Sequence, residues 1–488
     1  MHPTRSRFSR LAWFFRNRFF LNRSFCNRFL CNRSFWNYIK QLASKPYLTQ
    51  KRLPKMFWSV ALAGCIAICC WLGLSMPATT AAKPRILNAP AEVRGVWITN
   101  VASSVLFSPW GISRAVHQLA DLQFNTLYPV VWNRGQAFYH SHALEKLTGR
   151  AMAPLFSLMH LGQDPLQEMV ELSHRQEMRI LPWFEYGFMV PLNSTLARQH
   201  PNWLTTKQNG TQAVETNTFH PETELPSKSF LANLLDSGAP DQIAWLNPMH
   251  PAVQGLLIEM VEEVISQYDV DGIQFDDHFS LPVEYGYDPY TRALYQAEHG
   301  GQPPPSNPAD ADWIRWRADK ISRFVEILHT RVKDKCPTCQ LSLSPNPAKF
   351  AYRFYLQDWR RWVQEGWIDD LVVQVYRDDI EKFDSELDKQ TLKEAGDRIP
   401  VSIGILTGTW QKPVSFDQIE QQVAHSRDRQ FSGVAFFYWD TLWSYFTPES
   451  PKQRRQKFRA LLQQNRPTVS QTTRLKSSAP PVLSTPAN

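Results

Sequence analysis

The sequence predicts an α/β fold, a closed (β/α)8 TIM barrel, on three observations. Eight short apolar runs alternate with segments of helical period across residues 90–464. The first run leads into "VWITNVASS", which lacks the glycine-rich phosphate turn that an open doubly wound sheet would carry there. Polar and acidic residues collect where the apolar runs end, and that is the face on which barrels keep their sites.

The strand candidates follow in order. They are "VRGVWIT" at 93–99, "FNTLYPVVW" at 124–132, "MRILPWFEYGF" at 178–188 and "VDGIQFDD" at 270–277. "CQLSLSPN" at 339–346, "DLVVQVYRD" at 370–378, "IPVSIGIL" at 399–406 and "FSGVAFFYW" at 431–439 complete the set. Between them, "HPAVQGLLIEMVEEVISQY" places Val253, Leu256, Leu257, Met260, Val261, Val264 and Ile265 on one helical stripe. "DPLQEMVELSHRQ" and "WIRWRADKISRFVEILHTRVKD" have the same period. The loops are uneven. A long insertion follows the third strand, and "SLPVEYGYDPY" with a proline-rich stretch follows the fourth, as expected of loops that build the rim of a barrel's C-terminal face.

Charge divides the chain. The formal net charge is +8, but residues 1–55 carry thirteen lysines and arginines and no acid, which leaves −5 for the remainder. A mildly acidic globular part excludes a phosphate-tracking groove, so nucleic acid is not an expected partner. The basic segment 1–55, built on Asn-Arg-Phe units, reads either as a membrane-surface element or as sequence ahead of the true start. Residues 56–82 read as a signal peptide or a transmembrane anchor. "FWSVALAGCIAICCWLGL" at 57–74 is uncharged, follows Lys51, Arg52 and Lys55, and precedes the small residues "SMPATTAA". The barrel at 90–464 is therefore expected outside the cytoplasm, periplasmic or in the cell envelope, with the apolar segment as its membrane contact. Residues 465–488, rich in Ser, Thr and Pro, read as a disordered tail. Cys336 and Cys339, in "CPTC", suit a local disulfide or two ordinary thiols. One CxxC cannot complete a zinc site.

In "YDVDGIQFDDHF", side-chain alternation turns Gln274 and Asp276 toward the barrel axis and Ile273 and Phe275 toward the helices. Asp277 follows at the rim. An adjacent Asp pair is more often a solvated turn with an Asx cap, but other strand ends are polar as well. Glu185 follows the third strand, Gln374 and Tyr376 end the sixth, and Trp97, Trp132, Trp183 and Trp439 lie at the same level. Carboxylates framed by aromatics suit glycosidic bond cleavage, which needs a proton for the leaving oxygen and an anion beside an oxocarbenium-like centre. Tryptophan faces can stack on a pyranose. Asp276, Asp277 and Glu185 are the catalytic candidates. "DDH" also offers metal ligands, but no HxH or HxxxH accompanies it on another strand end, so no metal or cofactor is assigned.

The stretches "EVRGVWITN", "FNTLYPVVWNRGQAFYHS", "WLNPMHPAV", "YDVDGIQFDDHF", "LSLSPNP" and "WIDDLVVQVYRD" give the chain a resemblance to the glycosyl hydrolase-like 10 family of exported bacterial barrels. The resemblance implies a glycoside hydrolase acting on cell-wall glycan of the peptidoglycan type, in strands stripped of stem peptides. It implies that Asp276 and Asp277 are the family's acidic pair and that Arg94, Arg134, Gln374 and Tyr376 line its cleft; Asn133, beside Arg134, is a further binding candidate. Two departures stand out. Glu185-Tyr186 occupies the place of an Asn-Pro pair, and His278 stands where the strand-4 signature of family 18 chitinases has its Glu. A non-catalytic glycan-binding barrel and a hydrolase of another extracellular polysaccharide are the alternatives.

Overall fold

A computed structural model describes residues 90–101, 103–213, 242–409, 413–443 and 447–464. The basic N-terminal segment, the apolar run at 57–74 and the tail beyond 464 lie outside the described residues.

Eight strands close into a barrel. They are β1 (Val93–Ile98), β2 (Thr126–Asn133), β3 in two pieces (Arg179–Ile180 and Trp183–Phe184) and β4 (Gly272–Asp276). β5 (Gln340–Ser344), β6 (Asp370–Gln374), β7 (Val401–Leu406) and β8 (Gly433–Phe437) follow. Each strand pairs in parallel with the next, and β1 pairs with both β2 and β8, so no edge is left open. Seven of the eight lie within the ranges expected from the sequence, and β2 runs one residue further, to Asn133. β3 is split where Pro182, which has no N–H to give, interrupts the ladder. β2 carries an irregularity between Val130 and Trp132.

The helices form the outer layer. The helix Pro251–Gln267 buries all seven residues of its expected stripe. Ser108, Asp164, Asp310 and Ser415 cap the helices that follow them through side-chain oxygens. Cys336 and Cys339 are joined as a disulfide at the turn between the helix Ala311–Lys335 and β5.

The loop after β4 borders the site and is tied down by a buried arginine. Arg317 is fully buried and has no carboxylate partner among the described residues. Its guanidinium donates to the carbonyls of Val283 at 2.6 Å, Tyr285 at 2.5 Å and Pro308 at 2.6 Å. Gly286 makes this approach possible, because a Cβ there would lie 2.8 Å from Arg317 Cδ. Arg317→Met keeps the bulk and removes the donors, leaving these carbonyls unpaired. It is expected to cost about 3 kcal/mol of stability or more, read as a lowered denaturant midpoint with the slope unchanged.

Candidate active site

At the top of the barrel the inward alternation of β4 holds. Gln274 accepts the Trp97 indole N–H at 2.7 Å and donates to Ser342 Oγ at 3.0 Å, closing the layer beneath the site. Asp276, the next inward residue, ends the strand and is 2% exposed. Its Oδ2 accepts the Trp183 indole N–H at 3.0 Å, and its Oδ1 accepts the backbone N–H of His278 at 2.9 Å. The second bond is an Asx turn, so the ordinary turn chemistry of an Asp pair is present, made by Asp276. Asp277 is held from the neighbouring strands. Asn346, just after β5, donates to its Oδ2 at 3.0 Å, and Gln374, at the end of β6, donates to its Oδ1 at 3.0 Å.

His278 sits among these groups. Its Nδ1 is 3.3 Å from Asp276 Oδ1, 3.9 Å from Asp277 Oδ1 and 3.0 Å from the carbonyl oxygen of Glu185. Burial alone would lower the imidazole's pKa. The Asp277 and Asp276 charges outweigh it and lift the group to about 10, so His278 is a cation at neutral pH. Gly187, at φ +47°, lets the chain after β3 lie against this turn, since a Cβ there would meet the His278 carbonyl oxygen at 2.6 Å.

Glu185 faces the pair from β3. Its Oε2 accepts Thr99 Oγ1 at 3.1 Å and Asn133 Nδ2 at 2.6 Å. Its Oε1 has no hydrogen-bond partner among the described residues. Burial first, then the Asp276 charge, pushes the Glu185 carboxyl up to about 7. Burial also raises Asp276, with His278 opposing it, to about 6. The site therefore holds one carboxyl poised to carry a proton near neutrality beside a carboxylate pair fixed by amide, indole and backbone donors. The phenol of Tyr376 is pushed well above its ordinary range by burial and by Asp277 and Asp276, and so stays a neutral donor beside them.

The expected site residues fall into two groups. Asp276, Asp277, Glu185, Asn133, Trp183, Gln374 and Tyr376 come together. Arg134, with φ +53°, lies one step out, its Nε 3.4 Å from the Tyr186 hydroxyl. Arg94 is a correction. It sits at the opposite, N-terminal end of β1, with Nη1 3.4 Å from the Leu462 carbonyl of the last helix. The tryptophan platforms are another correction. Trp97, Trp132 and Trp439 are almost fully buried and have no face to offer a sugar. Trp132 donates to the Gly187 carbonyl at 2.9 Å, and Trp439 packs edge-on to Trp443 at 4.6 Å. Trp183 serves as a hydrogen-bond donor to Asp276. Reading the sequence missed Thr99, Asn346 and the cationic His278. Thr99 and Asn346 are polar residues just past strand ends, which is the signal that could have found them.

Asp276, Asp277 and His278 could each turn one ligand atom toward a common point, within 4.8 Å of one another. The carboxylate oxygens are already taken by N–H donors and the imidazole keeps its proton.

The stretch from β1 into the helix that follows β7 matches a known family. Residues 92–426 match the model of the family glycosyl hydrolase-like 10. The chain belongs to this family. Among relatives, glycosyl hydrolase DigH of Escherichia coli (strain K12) is 27% identical over 358 residues, covering 62% of this chain and 68% of that protein. Glycosyl hydrolase YngK of Bacillus subtilis (strain 168) is 25% identical over 333 residues, covering 60% of this chain and 56% of that one. Among solved structures, alpha-L-fucosidase isoenzyme 2 from Paenibacillus thiaminolyticus aligns with a TM-score of 0.51 at 13% identity, over 76% of this chain and 49% of that chain. The last is a likeness of fold alone.

Proposed function

We propose that the protein is an exported glycoside hydrolase that cuts bacterial cell-wall glycan, N-acetylated strands of the peptidoglycan type from which stem peptides have been removed. The observation that carries the reading is Glu185, with one oxygen anchored by Thr99 and Asn133, the other without a hydrogen bond among the described residues, and the whole carboxyl in the field of Asp276. Protonated near neutral pH, Glu185 delivers its proton from Oε1 to the glycosidic oxygen as the bond breaks. The Asp276–Asp277 pair supplies the anion that the oxocarbenium-like centre requires; water then adds its hydroxyl to that centre and its remaining proton restores Glu185. His278, held as a cation beside the two aspartates, favours the ionised form of Asp276 while Glu185 holds its proton. Membership of a glycosyl hydrolase-like family supports the reaction class. The uncharged run at 57–74 supports export and attachment to the cell envelope.

The test is incubation of the purified full chain with stripped glycan strands, intact sacculi and chitin oligomers in parallel, with products read by mass spectrometry. Cleavage of the stripped strands, with new reducing ends and none from an Asp276→Asn control, is the expected result. Binding to the strands without cleavage would replace this reading with a glycan-binding barrel. Cleavage of chitin oligomers alone would replace the wall with another polysaccharide.

A further inference from the structure

Directly after β5 the chain forms the helix Ala348–Tyr355, on the rim of the catalytic face. Two residues before it, Asn346 holds Asp277, so the helix begins at the site. Its C-terminal end is fixed to the loop after β4, where Leu281 N donates to the Tyr355 carbonyl at 3.0 Å and Val283 N to the Phe354 carbonyl at 2.8 Å. The Tyr355 phenol is raised by burial, then by Asp277 and Glu284, which places it in the field of the catalytic pair. From Tyr355 an aromatic row leads outward. Its ring is 5.7 Å from Phe350, and Phe350 is 5.1 Å from Phe354, which is 44% exposed.

A second row runs beside the first. Lys349 and Arg353 are both exposed and share the i, i+4 spacing of Phe350 and Phe354. Arg353 lies 5.5 Å from the Phe354 ring centroid, and neither cation has an ion-pair partner among the described residues. Glu284, the acid nearest Tyr355 on the adjoining loop, is paired with Lys207 at 3.7 Å. Core packing explains neither the exposed Phe354 nor the two cations. An exposed phenylalanine flanked by cations, on a helix that begins at the site, fits a glycan that carries carboxylates.

We propose that the helix Ala348–Tyr355 extends the cleft as a binding rim for stripped wall glycan. Phe354 takes a sugar face, and Lys349 and Arg353 take a free lactyl carboxylate. The inference rests on the substrate class proposed above and accounts for its preference. Removing a stem peptide turns the lactyl amide into a carboxylate and clears the bulk beside it. Lys349 and Arg353, about 6 Å apart along the helix, form one cationic spot sized for one such group. A strand still carrying its peptides has neither the charge nor the clearance.

Affinity tests this apart from turnover. In an Asp276→Asn background, the full chain is titrated with stripped strands and with the same strands after carbodiimide amidation of their carboxylates. The double substitution Lys349→Gln, Arg353→Gln is expected to weaken binding of stripped strands about fivefold and to leave the amidated strands unaffected. Phe354→Ala is expected to weaken both about threefold or more. All three side chains are exposed, so the fold tolerates these changes. Equal loss on both strands for the charge variant, or no loss on either, overturns the proposal. Charge-dependent binding without cleavage by the wild type would sink the hydrolase reading and leave this one standing.

Discussion

Asp276→Asn is expected to lower turnover of stripped glycan at least ~100-fold while leaving the fold intact. Asparagine has the same shape, and its carbonyl oxygen can keep the His278 backbone bond of the turn. The new amide then meets the Trp183 indole, so one hydrogen bond is lost, at a cost of about 1 kcal/mol. The chemical cost is far larger. The anion that would face the developing positive charge is gone, and the charges around it change with it. Glu185 loses the neighbour that helps hold its pKa near 7, and His278 loses one of the carboxylate charges that keep it protonated. Initial rates with stripped strands, beside a thermal melt of the same preparation, make the check. Activity within about tenfold of the wild type would take Asp276 out of the mechanism and leave its carboxylate as a turn cap.

The barrel and the acidic end of β4 were legible because both rest on period. Alternation in "DGIQFDD" assigns Gln274 and Asp276 to the interior from the residues alone, and the structure places them there. Alternation gives the side of a strand and says nothing about height along the barrel. Arg94 fails on side as well as height: its parity is opposite to that of the inward Trp97, it turns out to the last helix, and only the family resemblance grouped it with the cleft. Nor does alternation survive irregularities. Trp97 and Tyr128 stack inside the barrel at 5.2 Å, yet Asn133, of opposite parity to Tyr128, also turns inward to reach Glu185. The shift between Val130 and Trp132 reverses the alternation and re-aims Asn133. Tryptophan content misleads for a different reason. Four indoles at the strand ends suggest sugar platforms, whereas three of them spend their N–H on Gln274, Gly187 and Asp276 inside the protein. The protonation pattern is the least legible of all. The charge on His278 and the proton on Glu185 follow from burial and from charges that the ends of β3 and β4 bring together.

Glu185→Gln is expected to cost ~100-fold or more in kcat, and the form of that loss separates an acid from an anion. The glutamine carbonyl can keep the Thr99 and Asn133 bonds, so the loop after β3 stays in place. The sign of the pH dependence follows from the two carboxyls. As pH rises through about 7, Glu185 loses the proton it must deliver, and the rate falls. As pH falls through about 6, Asp276 gains a proton and ceases to be an anion, and the rate falls again. The wild-type kcat/KM should therefore peak between about 6 and 7, since the free enzyme's groups set that profile. In Glu185→Gln the alkaline limb should vanish and the acid limb remain. A leaving group that needs no proton sharpens the distinction. On a nitrophenyl glycoside of a stripped oligosaccharide, Glu185→Gln should recover most of its loss, because the departing phenolate leaves unaided. Asp276→Asn should recover none, because the positive centre still forms with nothing beside it. Should the nitrophenyl substrate rescue Asp276→Asn in place of Glu185→Gln, the two roles are exchanged, and the proton comes from the end of β4.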